Sequence, residues 1–186
     1  MTKHPDDTQD ILRYWREAVP NDRLAHLVKD ATRALVRALQ VRLAGHSVSF
    51  GHWTFLRVLW EGDGLTQREL SARAGVMEPT TFAALKAMER LGYVRRRKLN
   101  GDRKKMFVFL TAKGRGLRER LVPLAEDVNR IAVAGVRRAD VTAARAALLA
   151  IIENLARDEA DADKRMPSTR MIARLASGGR GKSRRA

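Results

Sequence analysis

Cysteine is absent from this 186-residue chain, and so are long apolar runs. Without cysteine the protein has no disulfide, no cysteine nucleophile, no cysteine-ligated zinc and no thiol redox sensor. The four histidines are scattered rather than paired at metal-ligand spacing, so we expect no metal and no cofactor. No apolar run approaches the roughly 20 residues of a membrane helix, and the first ten residues, MTKHPDDTQD, contain no apolar signal region. The sequence predicts a cytoplasmic protein.

Acidic residues are scarce relative to basic ones. The chain has 37 Lys and Arg against 21 Asp and Glu, a formal net charge of +16. Such an excess favours association with polyanions, because neutralising phosphates releases bound counterions. Ribosomal, membrane-surface and merely solvated proteins can also be this basic. Only the position of the charge along the sequence can distinguish these classes. Nucleic acid is the leading partner class.

Three long segments repeat apolar residues at intervals of three and four, which is typical of amphipathic helices. They span about 22–44, 112–134 and 140–157, and Asp140 is expected to cap the last of them. One small domain could not bury all three apolar stripes. We therefore predict that a second copy of the chain covers them.

Start and stop signals for two short helices follow a helix predicted over about 50–61. Thr66 and Glu69 form a capping box, and Gly75 ends the helix that it starts. Glu78, placed before a proline, then marks the start of a second helix that reaches about residue 91. Two helices joined by a short glycine-containing turn predict a helix-turn-helix.

A hairpin is predicted directly after the second helix. The sequence changes to strand-like alternation at about 93–99 and 105–110, and Asn100-Gly101 lies between the two segments as a turn signal. The predicted fold class is mainly α with a small two-stranded β wing, a winged helix-turn-helix joined to a helical dimerisation bundle. Residues 62–115 carry 13 basic and five acidic side chains, a net +8, so half of the excess charge lies in this unit.

The second helix of such a motif lies in the major groove with its N-terminal residues at base edges. If the apolar face turns inward, the candidate DNA-binding residues on the outer face are Pro79, Thr80, Phe82, Ala83 and Lys86. Thr80 can hydrogen-bond a base or phosphate, Phe82 can touch a thymine methyl group, and Lys86 can pair with phosphate. The alternative is that Phe82 packs in the core and Lys86 is a solvated charge.

Further DNA-binding candidates lie on the hairpin, namely Arg95, Arg97, Asp102, Arg103, Lys104 and Lys105. A basic hairpin tip can straddle a phosphate backbone and insert one arginine into the minor groove. Asp102 would orient Arg97 or Arg103 through a charge-assisted pair. The alternative is a solvated run of charge.

Three stretches resemble the MarR family of bacterial transcriptional regulators: SFGHWTFLRVLWEGDGLTQRELSARAGVMEPTT from Ser49, MERLGYVRR from Met88, and GDRKKMFVFLTAKG from Gly101. The resemblance covers about 22–157. It implies a homodimer with an interleaved helical bundle, a recognition helix at about 78–91, a wing arginine at Arg103 and its bracing acid at Asp102. The chain departs from the family at Phe82, where a small polar residue is usual, and at Ala83, where a basic residue is frequent.

The resemblance also implies a small aromatic or phenolic acid as ligand, bound between the dimer bundle and the DNA-binding unit. The candidate ligand-binding residues are His46, Ser49, His52, Trp53 and Arg57. Imidazole and guanidinium groups can hold a carboxylate beside an aromatic wall. Equally, His52 and Trp53 can be ordinary surface and core residues.

The expected organisation is an N-terminal arm (1–21), a dimerisation region (22–48 and 111–157), the DNA-binding domain (49–110) and a basic, disordered tail (158–186). We expect a dimeric, sequence-specific regulator, most simply a repressor released from a pseudo-palindromic operator by its ligand. The competing hypothesis is a nucleoid-type architectural DNA-binding protein without ligand control. An enzyme is not expected, since the chain has no glycine-rich cofactor loop and no room for a catalytic domain.

Overall fold

The computed structural model describes residues 8–17, 24–99 and 102–161, with the backbone alone at 99, 102–104 and 161. In these ranges the elements are α1 (Thr8–Glu17), α2 (Leu24–Ala44), α3 (Phe50–Glu61), β1 (Leu65–Thr66), α4 (Gln67–Ala74), α5 (Glu78–Arg90), β2 (Val94–Leu99), β3 (Asp102–Leu110), α6 (Ala112–Ala132) and α7 (Arg138–Asp161). The protein is mainly helical with a small antiparallel sheet, which confirms the predicted fold class. The expected Asn100-Gly101 turn and the tail from 162 lie outside the described residues.

The sheet has three strands in the order β1-β3-β2, one more than the hairpin predicted from the sequence. The additional strand, β1, pairs Leu65 with Val108 and is only two residues long, too short to show a periodicity. On the other side of β3, strand β2 pairs with it from Val94, which lies opposite Leu110, to Arg97, which lies opposite Phe107. The register then shifts, and the last pair is Leu99 with Asp102. Strand β3 therefore begins at residue 102 rather than at the predicted 105.

The start of α4 agrees with the sequence, whereas α5 and α7 differ from it in the residue at the cap position. The capping box at the start of α4 is present: Glu69 N–H donates to Thr66 Oγ1, and Glu69 Oε2 accepts from Thr66 N–H at 2.8 Å. Glu78 does not cap α5, because it is already helical and Met77 occupies the cap position without a side-chain hydrogen bond.

The prediction that Asp140 caps the last helix is also wrong. Helix α7 begins at Arg138, and the Asp140 carboxylate inside its first turn accepts two hydrogen bonds from the Arg137 guanidinium, each 2.7 Å long. At its other end α7 continues to Asp161 through part of the acidic stretch that we assigned to the tail. Extending a formed helix by one residue adds one hydrogen bond, which offsets the unfavourable charge.

The contacts divide the chain into two units, Met1–Ala134 and Gly135–Ala186. The first has a continuous apolar core to which α2 to α6 and the sheet contribute; its fully buried members include Leu56, Leu70, Leu85 and Leu121. The second unit is described as far as the end of α7. No side chain in the described part of that helix is buried. Within the described residues, none of the helices is both long and apolar enough to cross a membrane.

Candidate nucleic-acid interface

The two helices of the helix-turn-helix are joined by a buried polar contact. Ser71 Oγ on α4 donates to Thr81 Oγ1 on α5 at 2.8 Å, and Thr81 Oγ1 in turn donates to the Met77 carbonyl at 3.2 Å. Both side chains are buried, so these hydrogen bonds satisfy hydroxyls that would otherwise cost free energy. Leu85 and Met88 continue the same buried face of α5. This packing fixes which face of α5 turns outward.

The outer face of α5 is the one that the sequence predicted. All five candidate residues on it are exposed, namely Pro79, Thr80, Phe82, Ala83 and Lys86. The Phe82 side chain does not enter the core, since 49% of its surface is exposed. The outer face of α5 therefore presents the Thr80 hydroxyl, the Phe82 ring and the Lys86 ammonium group.

Strand alternation sorts the arginines of β2. Arg95 and Arg97 lie opposite Phe109 and Phe107 and are exposed, and the Arg97 guanidinium lies 4.2 Å from the centre of the Phe109 ring. This stacking holds the guanidinium at the surface of the wing. The two arginines chosen from the sequence are thus the two that face outward.

Arg96 points the other way and forms an ion pair that sequence reasoning missed. Its Nε and Nη2 donate to Glu89 Oε2 at 3.1 and 2.7 Å, and its backbone N–H donates to Glu89 Oε1 at 3.1 Å. These hydrogen bonds, led by the side-chain contact, lower the pKa of Glu89. The pair links α5 to β2 across seven residues, and the only sequence signal for it is the alternation of the strand.

At the wing tip the backbone is described more fully than the side chains. Strand β3 begins with Asp102, Arg103 and Lys104, whose side chains lie outside the description, and Lys105 follows with an exposed side chain. Two roles stay predictions: that Asp102 orients an arginine, and that Arg103 enters the minor groove. The strand does place all four residues at the end of the hairpin.

The loop between α3 and α4 is tied to the wing. Both Asp63 carboxylate oxygens accept the Leu110 N–H at 3.1 Å, and the Gly64 N–H donates to the Val108 carbonyl at 3.0 Å. Thr66, which caps α4, is also the strand partner of Phe107. The helix-turn-helix therefore starts at a residue that is part of the sheet.

The start of α6 packs closely against the end of α5. Thr111 caps α6 by accepting the Gly114 N–H, and its hydroxyl donates to the Gly92 carbonyl at 2.6 Å. Trp60 Nε1 donates to the Gly114 carbonyl at 3.0 Å. A Cβ at Gly114 would lie 3.0 Å from the Tyr93 carbonyl carbon and closer still to its oxygen. This explains why a glycine stands in a helical first turn.

The candidate ligand-binding residues lie between the end of α2 and the middle of α3, and Ser49, His52 and Trp53 have structural contacts. Ser49 Oγ caps the helix by accepting the His52 N–H, and the buried Trp53 ring contacts Trp60 edge-on with centroids 5.6 Å apart. His46 is half-buried and Arg57 is exposed. Ligand binding by this group stays a prediction. Among the described residues no cluster of three or more His, Asp or Glu side chains could hold a metal ion.

His52 gives a prediction about acid stability. Burial lowers its pKa, and its Nδ1 is buried without a hydrogen-bond partner. The unfolded chain therefore binds this proton at a higher pH than the folded protein, so stability is lost as the pH falls below the ordinary histidine value. Between about pH 7 and about pH 5 we expect the urea midpoint of His52→Gln to fall less than that of the unchanged protein. His26→Gln, at an exposed position on α2, should match the unchanged protein.

Comparison with known proteins agrees with this geometry. Residues 48–106 match the model of the MarR family. The HTH-type transcriptional regulator TtmR of Methylorubrum extorquens is 34% identical over 109 residues, which are 59% of this chain and 56% of TtmR. The homoprotocatechuate degradative operon repressor of Escherichia coli is 27% identical over 110 residues, covering 59% of this chain and 74% of the repressor. The chain thus spans little more than half the length of TtmR.

A solved structure extends the match in three dimensions. A putative MarR family regulator from Listeria monocytogenes, crystallised with a 26mer DNA, superposes with a TM-score of 0.66, covering 79% of this chain and 99% of that one at 23% identity. That level of identity establishes the fold, and the family model supplies the sequence evidence for the segment from α3 to β3. With the buried helix-turn-helix pairing and the anchored wing, these matches show that residues 48–106 form a winged helix-turn-helix segment similar to that of the MarR family of transcriptional regulators.

Proposed function

We propose that the protein is a dimeric regulator that binds duplex DNA in a sequence-specific manner and represses transcription. One observation carries the proposal: the exposed face of α5 and the exposed basic face of the wing belong to one packed unit. A groove-sized helix supplies base contacts, and the flanking arginines and lysines supply phosphate contacts. The Listeria relative was crystallised with DNA, and the E. coli relative is a repressor, which supports the same activity here.

The decisive measurement is the ratio of specific to non-specific affinity. We expect the protein to bind the promoter of its own gene at least about 1,000-fold more tightly than random duplex of the same length, at one fixed salt concentration. Equal affinities would instead identify an architectural protein without sequence preference. Salt must be held constant, because phosphate contacts alone change affinity strongly with ionic strength.

A second copy of the chain is proposed to cover the apolar surfaces of the long helices. Large exposed apolar side chains lie on α2 (Leu24, Leu27, Leu35, Val41), on α6 (Ile131) and on α7 (Leu148, Leu149, Ile152, Leu155). Exposed apolar surface of this extent is typical of an interface. A two-fold dimer would present its recognition helices about one DNA turn, roughly 34 Å, apart and would prefer a pseudo-palindromic operator.

Substitution on α7 tests the dimer. Ile152 is 63% exposed in the single chain, and Ile152→Glu would place a charge at the interface of both copies. We expect the dissociation constant of the dimer to rise on the order of 100-fold or more, measured by sedimentation equilibrium. Asn154→Glu adds the same charge about half a helical turn away and should leave the dimer intact. An unchanged dimer in both variants would remove α7 from the interface.

Release from DNA is proposed to follow binding of a small aromatic acid near His46, Ser49, His52, Trp53 and Arg57. The E. coli relative represses an operon for the degradation of homoprotocatechuate, an aromatic acid, which supports this ligand class. Such a ligand must bind more tightly to the conformation that does not fit DNA, since otherwise it shifts nothing. Titrating aromatic acids into the protein–DNA complex tests the proposal, and release that persists in Arg57→Ala would remove the guanidinium from the site.

A further inference from the structure

Phe82 is an unusual side chain for the outer face of a groove-binding helix. It is the fifth residue of α5, 49% exposed, and lies between the exposed Thr80 and Ala83. An exposed aromatic ring here contributes nothing to the core, whose α5 contacts come from Thr81, Leu85 and Met88. Its position among the residues that would meet base edges points to recognition.

Two charged residues hold the ring in place. The Arg96 guanidinium lies 5.7 Å from the centre of the Phe82 ring, within the range of a cation–π contact. Arg96 is itself fixed by three hydrogen bonds to Glu89 and has only 22% of its side chain exposed. Since Glu89 neutralises its charge, Arg96 is poorly suited to contact phosphate. It is well suited to position a neighbouring ring.

We propose that Phe82 recognises the 5-methyl group of a thymine in the major groove and that Arg96 and Glu89 position its ring. The proposal rests on the proposed DNA-binding function. Thymine is the one base that presents a methyl group at the major-groove edge, whereas the polar groups of the others there are hydrogen-bond donors and acceptors. A phenyl ring over those atoms would remove their water without replacing the hydrogen bonds. Phe82 therefore favours thymine for two reasons: its ring packs against the methyl group, and the same ring would desolvate the polar edge of any other base.

Replacing thymine by deoxyuridine removes only the methyl group and tests the contact directly. A preferred site is first selected from random duplex DNA with the full-length protein, and each thymine is then replaced in turn. We expect one position per half-site at which the replacement weakens binding about 4-fold, and about 15-fold when both half-sites are changed. In Phe82→Ala the same replacements should change affinity by less than about 1.5-fold.

The positioning role has its own readout. Arg96→Met and Glu89→Gln should bring the thymine-to-deoxyuridine affinity ratio towards one while leaving the salt dependence of binding unchanged. Arg97→Met is the matched control, because Arg97 is exposed on the same strand. It should keep the affinity ratio and lower the salt slope by about one for each subunit. A lowered salt slope in Arg96→Met would make Arg96 a phosphate contact and overturn its positioning role.

The remaining outcomes separate this proposal from the proposed function. Failure to select any preferred site would overturn both. A preferred site with no position sensitive to methyl removal would leave the regulator intact and overturn recognition of thymine. Sensitivity that persists in Phe82→Ala would assign the methyl contact to another residue.

Discussion

Gly114→Ala is expected to unfold or severely destabilise the protein, by roughly 3 kcal/mol or more, although alanine is the better helix former. The added Cβ would overlap the carbonyl group of Tyr93 and approach Leu110 Cδ2 to 3.1 Å. The carbonyl group cannot move aside, because its oxygen accepts the Thr111 N–H at 3.0 Å. Against a total stability of about 5–15 kcal/mol for a typical domain, such a loss is large.

Gly116→Ala is the matched control on the same helix. A Cβ at Gly116 meets no atom within 4 Å, so the substitution should stabilise the protein by about 0.5–1 kcal/mol through helix propensity alone. Urea unfolding followed by circular dichroism measures both variants. Equal effects of the two substitutions would contradict a packing role for Gly114.

Arg103→Ala is expected to have the largest effect on DNA binding. Arg103 is the second residue of β3, next to the pair that Leu99 of β2 forms with Asp102. A charge-assisted hydrogen bond contributes about 1.5–3 kcal/mol, and a dimer carries two wings, so the specific affinity should fall at least about 100-fold. Fluorescence anisotropy with the preferred duplex measures the loss, and sedimentation should show an intact dimer.

Arg118→Ala controls for the loss of one positive charge, because Arg118 is exposed on α6 rather than on the wing. We expect a change of only a few-fold at constant salt. Nearly normal binding by Arg103→Ala would exclude the minor-groove role and shift the phosphate contacts to Arg95, Arg97 and Lys105.

Local signals in the sequence predicted most of the elements. The capping box at Thr66–Glu69, the period change after Gly92 and the apolar spacing of α5 each depend on residues within a few positions of one another. Such signals also predicted which side chains of α5 face outward. Secondary structure and side-chain orientation within one element can therefore be predicted from residues close in sequence.

Long-range pairings could not be predicted in the same way. The run of basic residues at 95–98 does not reveal that Arg96 is paired with Glu89 while Arg97 stacks on Phe109. Strand β1 forms because Leu65 meets Val108, 43 positions later. Aspartate is a common capping residue, yet Asp140 lies inside the first turn of α7 and is paired with Arg137. In each case the role of the residue depends on the side chain or strand that it contacts, and the local sequence pattern does not identify that contact.

The double role of Thr66 restricts how DNA binding can be regulated. Thr66 ends a strand paired with the wing and begins the first helix of the helix-turn-helix, while Asp63 holds the last residue of β3. Together with the Ser71–Thr81 and Glu89–Arg96 contacts of α5, these ties predict that the wing and the recognition helix move together. In the proposed dimer, a releasing ligand would therefore have to alter the distance or angle between the two DNA-binding units, and both would leave the DNA together.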